Sequence, residues 1–158
     1  MDRKELRKLK ILPKRLGLFQ FKPLKKGSLP DPWKKFGGPR LASTGLIEVG
    51  NEMCVLFVTR NGETRDRRAF YGYLYRKVST GLEPVFIMHY HPSHKGIHIL
   101  ANCESPIDYV HRQLPGAIEL HLKGTKQLDP IGDQFQLVNI FCERFGIKIQ
   151  PADAYLLQ

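Results

Sequence analysis

The sequence predicts an α+β domain: a mainly antiparallel sheet, a meander of about five strands plus one, with two helices and a basic, Pro-rich N-terminal arm. Three observations carry this. Between residues 45 and 102, apolar, β-branched and aromatic runs of strand length follow one another, separated by short clusters of turn residues. Beyond residue 104, two stretches open on a helix-capping residue and close at glycine. The charge is also segregated. Residues 1–40 hold 13 Lys and Arg against 3 Asp and Glu, while residues 41–158 hold 12 of each sign, so the whole net charge of +10 sits in the first quarter.

In chain order, Asp2 is placed to N-cap a short basic helix reaching Lys10, with Leu6 and Leu9 on one face and Pro13 ending it. Five prolines between 13 and 40 then specify an extended segment, its basic residues interleaved with Phe19, Phe21, Trp33 and Phe36. Residues 1–40 are read as a basic arm and 41–158 as a single domain. Strands are expected near 45–49, 53–60, 69–78, 84–91 and 97–102, with a turn at Asn61-Gly62. Tyr71, Tyr73 and Tyr75 recur at period two and so share one face. Ser105-Pro106 reads as an N-cap followed by Pro at the first helical position, and Pro115-Gly116 ends that helix. Residues 117–123 alternate, with Glu119, His121 and Lys123 on the polar side. Asp133, with Gln136 at the capping-box position, starts a core-packing helix that stops at Gly146, and a strand over 147–149 follows.

A chain of 158 residues is enough for one domain with a real core. No apolar run reaches the roughly 18 residues that a transmembrane helix needs, and no secretory signal is expected. Cys54, Cys103 and Cys142 are odd in number and lack CxxC spacing. That points to a reducing, cytoplasmic or otherwise intracellular setting and away from a zinc ribbon. Walker A, GxGxxG, HExxH and GxSxG sequences are absent, which argues against triphosphate and dinucleotide chemistry. A single-sign arm on a neutral body fits a polyanion, with RNA or single-stranded DNA favoured as partner and no membrane partner expected.

The densest chemistry lies in residues 86–103, which hold four of the six histidines: His89, His91, His94 and His98. Apolar runs flank a turn cluster at 92–96, so the segment reads as a β-hairpin. His89 and His91 point the same way. A four-residue loop over 93–96 places His91 opposite His98 and all three histidines on one face; a five-residue loop sends His98 to the other.

Three readings fit. In a metal-independent ribonuclease, one neutral imidazole takes the proton of a ribose 2′-hydroxyl and a protonated one gives its proton to the leaving 5′-oxygen. His91 and His98 take these roles, with His89 as third catalytic candidate and no cofactor required. Lys95 or Arg76 contacts the phosphate, and both are candidates for nucleic-acid binding. Arg65, Arg67, Arg68, Trp33, Lys34, Lys35 and Tyr73 are further candidates for nucleic-acid binding, the cations on phosphates and the rings on bases. This layout looks like that of small ribonuclease toxins with a basic N-terminal region and an antiparallel sheet. In a metal-dependent endonuclease, the same His89, His91 and His98 bind a divalent metal and leave a position for water. Here Met88-His89-Tyr90-His91 resembles the His-hydrophobic-His strand of replication-initiation and relaxase endonucleases. That resemblance implies two metal-binding histidines and a nucleophilic tyrosine, for which Tyr109 and Tyr155 are the candidates. In the third reading the arm and sheet form a non-catalytic nucleic-acid or protein-binding module.

Overall fold

The computed structural model describes residues 1–93, 96–102, 118–122 (main chain) and 127–151. Helix α1 (Arg3–Ile11) starts as the sequence indicates, with Asp2 Oδ1 accepting from the Glu5 N–H at 2.8 Å. Its inner face buries Leu6 and Leu9; Arg3, Lys4, Arg7, Lys8 and Lys10 face solvent. The last carbonyls of α1 are satisfied from below. Lys14 is 2% exposed, and its Nζ donates to the carbonyls of Leu9, Lys10 and Leu12 at 2.8–2.9 Å. A cation at a helix C-terminus offsets the macrodipole. Burial and the neighbouring Lys10 charge push the Lys14 pKa down to about 8.

Strand β1 (Lys14–Leu16) pairs in parallel with β9 (Ile147–Ile149), forming a small sheet of its own. Among the described residues the main sheet has seven strands, every neighbouring pair antiparallel. They are β2 (Lys22–Pro23), β3 (Leu41–Gly50), β4 (Met53–Arg60), β5 (Ala69–Val78), β6 (Gly81–His91), β7 (Gly96–Ala101) and β8 (Ile118–Leu122), in that spatial order. The β3–β4 connection has two residues, Asn51 and Glu52, both at positive φ (53° and 58°). That is the local twist a tight hairpin requires. Helix α2 (Gln134–Arg144) follows. Asp133 occupies its N-cap position, but the carboxylate accepts from the Asp129 N–H at 2.6 Å rather than capping the helix. The helix expected from residue 105 lies outside the described residues.

Both helices pack on one face of the sheet, burying Leu6, Leu9, Leu137, Phe141 and Phe145 against Phe57, Phe70, Leu74, Met88 and Tyr90. Gly72 permits this approach, since a Cβ there would stand 2.8 Å from the Phe141 ring. The opposite face is only partly open. Leu24, Leu29 and Trp33, from the Pro-rich segment, are buried on it against Leu56, Val58, Tyr73, Tyr75 and Ile87. The arm thus contributes to both cores, because its apolar residues between the prolines bury surface that would otherwise face water.

Candidate functional site

A bulge decides which face the histidines occupy. Along the β5–β6 ladder, Tyr75 pairs with Pro84 but Leu74 pairs with Phe86, so Val85 is an extra residue in β6. Pro84 has no N–H to give, and a bulge is where a central strand accommodates it. Asn102, 1% exposed, holds the bulge: its main-chain N–H donates to the Val85 carbonyl and its Nδ2 to that of Pro84. One inserted residue exchanges the two faces of everything beyond it. His89 and His91 consequently share the face of Tyr71, Tyr73 and Ile87, and Met88 and Tyr90 go to the helix side.

The hairpin loop is four residues long but covers 92–95 instead of 93–96, because Gly96, at φ 101°, already pairs with His91. His98 therefore faces His89, where the sequence expectation had it facing His91. The slip is by two residues, an even number, so all three histidines still share one face. It is the face opposite the helices, and all three side chains are half-buried. Side chains directly opposite on a ladder stand about 4.5–5.5 Å apart at Cβ and diagonal ones about 7–8 Å, so His89–His98 is the close pair and His91–His98 the wider one. The Tyr71 ring stands edge-on to both imidazoles of β6, 5.1 Å from His89 and 5.3 Å from His91. Tyr73 lies 6.1 Å from His89, and His89 is 6.3 Å from His91. The Nε2 atoms of His89 and His98 are both shielded from solvent. On β8, the ladder sets position 121 opposite His98 and position 119 opposite Leu100. Lys123, the third polar position of residues 117–123, lies outside the described residues.

The other candidates separate. Trp33 and Tyr73, expected to stack on bases, are 2% and 3% exposed. The indole packs 4.7 Å from the Tyr73 ring and donates from Nε1 to the Tyr75 hydroxyl at 2.8 Å. These rings anchor the Pro-rich segment and offer no face to a base. Arg76, expected on phosphate, sits five residues from Tyr71 along β5, about 17 Å away at strand rise. Its guanidinium binds Glu83 at 2.7 Å and Glu5 at 2.6 Å, tying α1 to the β5–β6 hairpin. Those hydrogen bonds, Glu83 first and Glu5 next, raise its pKa further.

The arginine loop at 61–68 joins β4 to β5 at the sheet end where His91 lies. Arg68 is committed to Asp129 at 2.5 Å and to the Gly62 carbonyl, and Arg65 donates to the Gln127 carbonyl. Arg67 is exposed and makes no ion pair among the described residues. Lys34 and Lys35 are exposed beside the buried Trp33. Lys95, Tyr109 and Tyr155 lie outside the described residues, as do His94, His111 and Cys103. Among the described residues, no group of three or more His, Cys, Asp or Glu side chains is gathered so as to hold a metal ion. Nor is any described helix long and apolar enough to cross a membrane.

No protein-family model, curated protein or solved structure matches the chain.

Proposed function

We propose that this protein is a phosphodiesterase of single-stranded RNA that works by imidazole acid/base chemistry on the open end of the sheet face. The observation that carries the reading is the row of His89, His91 and His98 on one half-buried face, opposite the helices. The diagonal His91–His98 spacing leaves room for a phosphate between two imidazoles. In this reading His91 takes the proton of the 2′-hydroxyl as that oxygen attacks phosphorus. The bond from phosphorus to the 5′-oxygen breaks, and His98 gives that oxygen its proton, leaving a 2′,3′-cyclic phosphate. His89, between Tyr71 and Tyr73, positions the pair. Arg67, Lys34 and Lys35 supply positive charge to the phosphates. Free, buried Cys54 and Cys142 fit a reducing intracellular compartment.

The shielded Nε2 atoms favour one second reading, a non-catalytic nucleic-acid-binding module, in which RNA is bound and recovered intact. The discriminating experiment incubates end-labelled RNA, single-stranded DNA and duplex DNA with the protein, with and without chelator. The phosphodiesterase reading requires cleavage of RNA alone, insensitive to chelator. Intact RNA in a stable complex selects the binding module, and cleavage stopped by chelator points to a metal enzyme.

A further inference from the structure

The cationic excess of residues 1–40 is divided between the two sides of the sheet. Five of its cations line α1 on the helix side, while Lys25, Lys26, Lys34 and Lys35 sit on the segment that crosses the histidine side. The second group is held in a closed loop. The Gly27 N–H donates to the Lys34 carbonyl at 2.7 Å, and the Gly38 N–H to the Leu24 carbonyl at 3.0 Å. A Cβ on Gly37 would lie 2.3 Å from the Lys26 nitrogen, so the outgoing chain runs directly against residues 25–26. Buried Leu24, Leu29 and Trp33 fasten the loop to the sheet. All four lysines are exposed, and none makes an ion pair among the described residues. Asp31 is the sole carboxylate between residues 22 and 40.

Holding four like charges in a rigid loop opposes folding unless an anion offsets them, and a flexible tail would have avoided the repulsion. The loop also has a definite place beside the histidines. Trp33 contacts Tyr73, and Tyr73 contacts His89, so the lysines stand two ring contacts from the imidazole row.

We propose that Lys25, Lys26, Lys34 and Lys35 form a preorganised phosphate track that holds the backbone of a single-stranded nucleic acid next to the histidine face. The track rests on the reading above for its role in the reaction, since it sets where the strand lies relative to His91 and His98. Its ligand is the phosphodiester backbone, so it binds without sequence preference and with strong salt dependence.

The test uses fluorescein-labelled oligodeoxythymidylate, which has no 2′-hydroxyl and so survives the proposed chemistry. Anisotropy titrations across a salt series compare the wild type with two full-chain variants of equal charge change. One carries Lys25→Gln, Lys26→Gln, Lys34→Gln and Lys35→Gln; the other, on α1, carries Arg3→Gln, Lys4→Gln, Arg7→Gln and Lys8→Gln. At roughly 0.7 per phosphate contact, the track variant should lower the slope of log affinity against log salt by about 3, and the α1 variant by less than about 1. The double variant Lys34→Gln/Lys35→Gln should give about half the track effect, which guards against a folding defect in the fourfold change. Equal losses in the two fourfold variants would show that diffuse net charge does the binding and would overturn the track. So would tight lysine-dependent binding to phosphatidylserine vesicles with none to the oligonucleotide. Failure to cleave RNA with the slope pattern intact refutes the reaction and leaves the track standing.

Discussion

Replacing Trp33 by Ala should destabilise the whole domain, not merely loosen its N-terminus. The indole is 2% exposed, lies 4.7 Å from Tyr73 and 5.2 Å from Phe36, and bonds Tyr75. Truncating a buried aromatic of this size costs about 3–5 kcal/mol. A domain of this class has roughly 5–15 kcal/mol of stability, so the variant approaches its unfolding threshold. At about 2–4 °C per kcal/mol, the midpoint should fall by roughly 6–20 °C. Trp33→Phe keeps most of the apolar volume and isolates the hydrogen bond. Combined with Tyr75→Phe in a double-mutant cycle, it should give a coupling of about 0.5–1.5 kcal/mol. The assay is urea unfolding followed by far-ultraviolet circular dichroism. Because Trp33 is the chain's only tryptophan, native fluorescence supplies an independent check: emission should be blue-shifted and protected from iodide. Iodide-quenched emission with a loss below about 1 kcal/mol for Trp33→Ala would show that the Pro-rich segment is undocked, and the packing account of this face would be wrong.

Lys14 gives a pH dependence with a definite sign. Its pKa is about 8 in the fold against 10.5 when unperturbed, so between those values the unfolded chain holds a proton that the folded chain has released. Stability attributable to Lys14 should therefore rise as pH goes from about 8 to 10.5, by at most about 3 kcal/mol. A wild-type minus Lys14→Met difference that stays flat across that range contradicts this. Burial pushes the thiol pKa of Cys54 up to about 11 and of Cys142 to about 12. Both should resist iodoacetamide at pH 8 in the native protein and react once urea unfolds it, which peptide mapping resolves; native labelling at either refutes their burial. Gly72→Ala should cost about 1–3 kcal/mol by overpacking Phe141, and an unchanged urea midpoint would show that α2 does not press on β5 there.

The meander was legible because strand periodicity and turn residues agree along residues 41–101, and the Asp2 cap because its spacing to Glu5 is local. A shared face for the three histidines was legible only as one of two loop-length outcomes, and the observed four-residue loop, displaced by one position, selects it. What escaped was set by contacts distant in sequence. The Val85 bulge, which chooses the histidine face, is held by Asn102, and no local pattern announces that pairing. The pairing of β1 with β9 joins segments at opposite ends of the chain. Trp33 and Arg76 carried the right chemistry for nucleic acid in composition, yet Tyr75 in one case and Glu5 and Glu83 in the other claim them in the fold. Tyr71 was visible as part of a tyrosine stripe; its edge-on place against His89 and His91 depended on the same bulge.

The central claim is that His91 and His98 move protons on a phosphodiester, and single-turnover cleavage of labelled RNA in the presence of chelator tests it most directly. His91→Ala and His98→Ala should each slow cleavage by about 10²- to 10⁴-fold. The double variant should lose less than the product of the two, because groups that act as a unit are not additive. Circular dichroism should show both single variants folded, and oligodeoxythymidylate should still bind them. Wild-type rates in both folded variants would contradict the account and remove this face of the sheet as the site of cleavage.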